Sequence, residues 1–300
     1  MRTCWEPGIE LRARCPRDPG HPGLGRCSVE RVTVAVGLLL FDLDATLLGP
    51  DRTVSPANAE ALSAAMVAGI GVGFATGRVR RSVEPWIEQL RPNAPLILLN
   101  GGMVWEPRAG RVLDEHRLPP ADARAALEVI GDLGVHANLY LGEQVVIAVS
   151  SATSRRSEVK DGVPHSEVGD LLGHLNERSD EPFKILCIDE SGGIERLADR
   201  LRPVLKEGSV LVRSEPTYLE VLPPGVSKGA ALPVVSRHLG VPPSDVVAFG
   251  DGLNDLELLQ ASGLGVAMGN AHPRVRDCAD VVIGANDSDA IATFLAARVL

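Results

Sequence analysis

From Val32 onward, apolar runs and amphipathic stretches alternate along the chain. Val34–Phe41 is an almost unbroken apolar run, the pattern of a strand buried on both faces. Ser55-Pro56 has the form of a helix start, with Ser as N-cap and Pro at the first position, and Leu62, Ala65, Met66 and Ile70 then share one helical stripe. Val72–Ala75 predicts a second, short strand, followed by Thr76-Gly77-Arg78 and a helix towards Leu90. Pro95–Leu99 predicts a third strand, closing on Asn100-Gly101-Gly102. Such alternation implies an α/β fold, a Rossmann-like doubly wound parallel sheet with helices on both faces.

The middle of the chain reads differently. Strand patterns at Arg111–Leu118, Ala137–Leu141, Val145–Val149 and Phe183–Asp189 interleave with helix patterns at Pro120–Leu133, Ser166–Leu175 and Ile194–Leu205. The short polar link Gly142-Glu143-Gln144 marks a hairpin. Residues 103–213 therefore read as an inserted α+β cap. Parallel-sheet character returns with strands at Tyr218–Leu222, Val246–Phe249, Leu264–Met268 and Val281–Ile283 and a helix over Ser227–His238. The expected division is a discontinuous core, 32–102 and 214–300, around that cap. Residues 1–31 mix Arg, Pro, Gly and Cys without periodicity and without a secretory apolar segment. They read as a disordered tail, or as translation from upstream of the true start.

Composition narrows the class. A chain of 300 residues has ample length for a core, and a net charge of −9 argues against a nucleic-acid partner. The longest apolar run, near Val32–Phe41, is too short to cross a bilayer, so no membrane partner is expected. Five cysteines without a CxxC pair argue against a disulfide framework and for a reducing cytoplasm. Cys4, Cys15, His21 and Cys27 match no common zinc spacing. Oligomeric state is not readable.

Candidate chemistry gathers at strand ends. LLLFDLDATLLGPD (38–51) finishes an apolar run on Asp42 and Asp44, two residues apart and so on one face if the strand end is regular. Two carboxylates that close push one pKa up, which suits acid–base chemistry; a solvated turn is the plainer alternative. Thr76 and Asn100 end the next strands, and Asp251 ends VVAF as Asp42 ends its own run. In open parallel sheets ligands collect at those carboxyl ends. Lys228 follows a plausible N-cap, Ser227, near the positive end of a helix dipole. Carboxylates, a hydroxyl and a lysine at one sheet edge describe a magnesium–phosphate site.

The order FDLDATLL, FATGR, VSKG, FGDGLND resembles the four motifs of the haloacid dehalogenase-like hydrolases, and the insertion after NGG resembles the type IIB cap of their Cof-like phosphatases. That resemblance implies an Mg²⁺-dependent phosphomonoesterase of small phosphorylated metabolites, sugar phosphates or phosphorylated cofactors. By the same resemblance Asp42 is the nucleophile that forms an aspartyl-phosphate and Asp44 the general acid and base. Thr76 and Gly77 hold phosphate oxygens, Lys228 offsets charge, and Asn100 lies on the substrate side. The metal falls to Asp42, the main-chain carbonyl of Asp44, and Asp251, with Asn254 and Asp255 in support and Asn254 also near substrate. The cap is expected to set specificity.

Two departures stand out. Ala45 replaces the glycine usual after the second aspartate, a strain of roughly 1–2 kcal/mol if φ is positive there. Pro233 falls inside the helix that starts at Lys228, where a kink is expected. Rival readings remain open at this point. GLGVAMG (263–269) and GIGVGFATG (69–77) hint at dinucleotide binding but lack GxGxxG spacing. A non-enzymatic phospho-accepting or phosphometabolite-binding regulatory protein would also use an aspartate at a strand end, but it needs neither Asp44 nor a cap.

Overall fold

The computed structural model describes residues 36–300 apart from residue 191, together with a two-residue strand at Glu10–Leu11. The tail expected over 1–31, with Cys4, Cys15, His21 and Cys27, otherwise lies outside the described residues. Glu10–Leu11 departs from that expectation by pairing antiparallel with Val281–Val282, where a sheet edge offers free backbone groups.

The main sheet runs in the order Glu10–Leu11, Val281–Val282, Leu264–Ala267, Val246–Gly250, Leu38–Phe41, Gly71–Phe74. Every pairing after the first is parallel. Period-2 alternation sorts its side chains into two cores. Leu39, Phe41, Val72, Phe74, Val247 and Phe249 share one cluster with Leu62 of the helix Pro56–Val67 and Phe294 of the helix Ala290–Arg298. Leu38, Leu40, Val246 and Ala248 share the other with Leu232 and Val235 of the helix Lys228–Leu239. Phe41 stacks on Phe249 with ring centroids 4.5 Å apart, which ties the two central strands together just below their carboxyl ends. Helices on both faces make this the doubly wound arrangement expected. The helix Lys228–Leu239 continues through Pro233.

An isolated parallel bridge, Ala75 to Ile97, hangs a second sheet on the first: Leu96–Leu98, Met103–Glu106 and Arg111–Glu115, all antiparallel. The third sheet has the order Val210–Glu215, Tyr218–Leu222, Lys184–Ile188, His136–Leu141, Gln144–Ile147, His165–Glu167. Two corrections to the expected division follow. Met103–Glu106 and Arg111–Glu115, expected in the cap, form a sheet with Leu96–Leu98 of the core, and Tyr218–Leu222, expected in the parallel sheet, pairs with two strands of the inserted sheet. A strand carries no mark of its partner in its own residues, whether polar as RVLDE or apolar as YLEVL; only the pairing decides.

Alternation again gives the inserted sheet two faces. Leu139, Leu141, Ile185, Cys187, Leu219 and Val221 pack under the helices Pro120–Leu133, Leu171–Asn176 and Ile194–Leu201. The opposite face, with Tyr140, Lys184, Leu186, Tyr218 and Glu220, borders the cleft over the main sheet. The helix pattern over Ser166–Leu175 resolves into a strand, His165–Glu167, and a shorter helix capped by Asp170, with Gly169 at φ 79° between them. One helix, Ala152–Asp161, had no apolar stripe to predict it. It is started by a Ser151–Ser154 capping box and stopped by Gly162 at φ 69°.

Candidate active site

Leu38–Phe41 lies between Val246–Gly250 and Gly71–Phe74, so the chain leaves the centre of the sheet in both directions, and a crevice opens at the carboxyl ends. Asp42 follows Phe41 directly, Asp251 follows Gly250, and Thr76 lies two residues beyond Phe74. These three, with Asp44, Gly77 and Asn254, line a cleft of about 380 Å³ roofed by the inserted sheet.

Beyond Asp42 the chain makes a tight turn. Leu47 and Leu48 donate backbone N–H to the carbonyls of Asp42 and Leu43, at 3.2 and 2.9 Å. Ala45 sits in that turn at φ 59°, ψ 11°, the left-handed conformation that favours glycine, and its carbonyl accepts from Asn270 Nδ2 at 2.8 Å. The strain noted from the sequence is therefore present. Glycine relieves about 1–2 kcal/mol of it and gives back about 0.5–1 in backbone entropy. Ala45→Gly is expected to raise the melting temperature by about 2 °C in calorimetry. A fall in melting temperature would mean the turn is not strained by its methyl group.

Lys228 is fully buried and donates to Asp42 Oδ1 and Asp255 Oδ1, both at 2.6 Å. Asp255 spends its other oxygen on the backbone N–H of Asp251 and Gly252, at 3.0 and 2.8 Å, and so shapes the loop that presents Asp251. Gly250 is required beneath it, since a Cβ there would lie 2.5 Å from the Asp255 Cβ. Asp251 Oδ1 accepts from Thr46 Oγ1 at 2.8 Å. One oxygen from each of Asp42, Asp251 and Asp255 falls within 4.8 Å of the others.

Two carboxylates thus share one ammonium, with a third close by. Burial pushes the Asp42 carboxyl well up, with Lys228 opposing and Asp255 and Asp251 adding to the rise. Burial, then the charge of Asp255, lifts Asp251 from 3.8 to about 7. Burial alone would lower Lys228, but the two carboxylates on it outweigh that and raise it, so it stays cationic. Buried carboxyl oxygens that outnumber the ammonium beside them are the donor set a hard divalent cation fits.

Asp44 is held apart from this cluster. Arg78 grips it with two bonds, Nε to Oδ2 and Nη2 to Oδ1, both 2.7 Å. Although burial raises the Asp44 carboxyl, the Arg78 bonds and charge win and hold it below the usual range. The same guanidinium donates from Nη1 to Ser82 Oγ and to the carbonyls of Lys160 and Asp161, at 2.9, 2.7 and 3.3 Å. Ser82 Oγ also donates to the Asp161 carbonyl, and Arg52 Nη1 donates to that of Val159 at 2.8 Å. The last carbonyls of the helix Ala152–Asp161 are therefore clasped by side chains of the core.

The phosphate-side candidates converge separately. Thr76 Oγ1 accepts the Arg78 N–H at 3.2 Å, which leaves its own proton free to donate elsewhere. Leu99 and Asn100 both have positive φ, 55° and 57°, and the Asn100 N–H is tied to the Thr76 carbonyl at 2.9 Å. This turn brings the Asn100 side chain beside Gly77, where Oδ1 accepts from Asn254 Nδ2 at 3.0 Å. Asn100 Nδ2 donates to Glu220 at 3.0 Å.

Asp42, Asp44, Thr76, Gly77, Asn100, Lys228, Asp251, Asn254 and Asp255 all lie in this region. Arg78, Lys184 and Glu220 lie here too, beyond the residues expected. Arg78 stood inside the FATGR motif without an assigned partner. Lys184 and Glu220 carried a visible signal, each being a lone charge in an apolar strand, KILCI and YLEVL.

Comparison with known proteins shows the family. The family model of the haloacid dehalogenase-like hydrolases matches residues 39–295. The chain is 29% identical over 265 residues to the pyridoxal phosphate phosphatase YbhA of Escherichia coli (strain K12), covering 86% of this chain and 97% of that one. It is 33% identical to the HMP-PP phosphatase of Serratia proteamaculans (strain 568), over 86% of this chain and 93% of that one. A haloacid dehalogenase-like hydrolase from Bacteroides thetaiotaomicron superposes with a TM-score of 0.79 at 27% identity, covering 87% of this chain and 99% of that structure. The chain belongs to the haloacid dehalogenase-like hydrolases. No helix among the described residues is long and apolar enough to cross a membrane.

Proposed function

We propose that the protein is an Mg²⁺-dependent phosphomonoesterase that takes the phosphoryl group of a small phosphorylated metabolite onto Asp42. The observation that carries this reading is Lys228, fully buried and bonded to Asp42 and Asp255 with Asp251 beside them. Three carboxylates around one lysine serve neither packing nor a simple ion pair. The relatives named above act on pyridoxal phosphate and HMP-PP, which supports a metabolite of that size. Five cysteines without a CxxC pair support a reducing compartment, and so a cytoplasmic enzyme.

Asp42, the Asp44 main-chain carbonyl and Asp251 would hold the ion, supported by Asn254 and Asp255. When bound, Mg²⁺ supplies charge neutralisation at the transferring group and between the carboxylates. The chain's own residues do the rest. An Asp42 oxygen attacks phosphorus, the bond to the alcohol breaks, and an aspartyl-phosphate forms. The Thr76 hydroxyl, already accepting from the Arg78 N–H, donates its own proton to a phosphoryl oxygen. Lys228 stays charged and offsets the phosphoryl oxygens. Asp44 must be protonated to serve the leaving alcohol, so Arg78 has to loosen its grip; an incoming phosphate is a competing bidentate partner for it. Ionised again, Asp44 takes the proton of the water that frees Asp42.

Phosphate release from p-nitrophenyl phosphate and from a panel of metabolites, with Mg²⁺ and with chelator, tests the reading. Release that needs Mg²⁺ supports it. Labelling of Asp42 without release would favour a phospho-accepting regulator instead, and no labelling or release with any divalent ion would end the proposal.

The raised carboxylates give a second test. A folded-state pKa above the unfolded value means that the folded chain holds its protons more tightly. Asp251 therefore costs the metal-free protein stability as pH rises from about 4 through about 7. Mg²⁺ competes with those protons. The rise in melting temperature on adding Mg²⁺ is expected to be larger near pH 8 than near pH 5, by scanning fluorimetry. Equal increments would place the ion away from these carboxylates.

A further inference from the structure

The inserted cap brings a buried ion pair into the phosphate half of the site. Lys184 and Glu220 come from neighbouring antiparallel strands, Lys184–Ile188 and Tyr218–Leu222, and their side chains are 3% and 4% exposed. Lys184 Nζ donates to Glu220 Oε2 at 2.7 Å, and its ammonium lies 4.6 Å from the centre of the Tyr140 ring. The pair's remaining bonds leave the cap. Lys184 Nζ donates to the Gly77 carbonyl at 2.8 Å, and Glu220 Oε2 accepts from Asn100 Nδ2 at 3.0 Å.

Those two bonds fix two separate groups. The Gly77 carbonyl belongs to the peptide whose N–H, on Arg78, is accepted by Thr76 Oγ1. Anchoring that carbonyl holds the peptide plane, and with it the direction in which the Thr76 hydroxyl can donate. Glu220 takes the Nδ2 end of Asn100, so the Oδ1 end is left for Asn254. The amide cannot turn over without losing both bonds. Packing gives no reason for the pair, because a buried ion pair is typically no more stable than apolar residues of the same volume.

We infer that Lys184 and Glu220 are positioning residues for phosphate: docking of the cap through this pair sets Thr76, Gly77 and Asn100, so affinity for the phosphoryl group depends on the cap whatever the leaving group. This rests on the proposed phosphatase reading and adds phosphate positioning to the specificity expected of the cap.

The test compares wild type with Lys184→Met/Glu220→Leu, an apolar replacement of similar volume, and with Glu220→Gln, which keeps an acceptor for Asn100 and Lys184. Turnover of p-nitrophenyl phosphate and of pyridoxal 5′-phosphate is measured together with inhibition by inorganic phosphate. The apolar pair is expected to lower kcat/KM by roughly 10–100-fold on both esters alike and to weaken phosphate inhibition in parallel, the scale of a small misplacement in a site. Glu220→Gln should recover most of that loss. If the apolar pair does not fold, a cycle of Glu220→Ala, which removes the acceptor, with Asn100→Gly, which the left-handed backbone at 100 accepts, decides the matter. Effects that are less than additive uphold the inference, and full additivity overturns it. Loss confined to pyridoxal phosphate, with phosphate inhibition and the aryl ester untouched, would also overturn it. A wild type inert on every ester would instead count against the phosphatase reading, so the two failures are distinct.

Discussion

Asp42→Asn is expected to lose turnover by on the order of 10⁶-fold, the scale on which a covalent hydrolase loses its nucleophile, with no acid-quenched phosphoenzyme. The substitution keeps the shape of the side chain but removes the attacking oxygen. It also takes one of the two carboxylates from Lys228, which keeps Asp255 at 2.6 Å, so the lysine remains paired. The fold should therefore survive, and a melting temperature within a few degrees of wild type separates chemical loss from unfolding. Residual activity within tenfold of wild type would mean that the phosphoryl group never passes through Asp42.

Asp44→Asn should behave differently. It keeps the nucleophile and loses the proton donor and the base for water, slowing turnover by roughly 10²–10⁴-fold. A good leaving group such as p-nitrophenolate needs little protonation, so phosphorylation of Asp42 should suffer less than its hydrolysis. Rapid quench is then expected to show a burst of phosphoenzyme near one equivalent per site. Arg78 sharpens the contrast, because in the variant its bidentate carboxylate partner becomes a neutral amide that can accept only through one oxygen. Normal turnover by Asp44→Asn would reduce that residue to the end of a turn and the clasp on Arg78.

Much of the site was legible because its chemistry is written at strand ends. An apolar run that stops on a carboxylate, as at Phe41-Asp42 and Phe249-Gly250-Asp251, announces both the strand and the group it presents. Phe41 opposite Phe249 in parallel register then brings those ends together without further information. What stayed hidden depended on pairing across long separations. Tyr218–Leu222 looks the same whether it joins the parallel sheet or the cap, and its true neighbour, Lys184–Ile188, is set only by tertiary packing. Glu220 could be noticed as a charge inside an apolar strand, yet its link to Asn100, 120 residues away, has no local signature. The helix Ala152–Asp161 escaped for the opposite reason: it is so polar that the periodicity used to find helices is absent.

That helix also bears on how easily the site opens. Its final carbonyls, Val159, Lys160 and Asp161, are held by Arg52, Arg78 and Ser82 across the cleft. When the cap lifts, each of those groups finds water in place of its partner. Exchanges of this kind nearly cancel, leaving about 1 kcal/mol per bond and somewhat more where a charge is involved. Together with Lys184 on the Gly77 carbonyl and Glu220 on Asn100, the clasp joins the inserted unit to the core through several individually modest bonds, so its hold is a sum spread over distant positions.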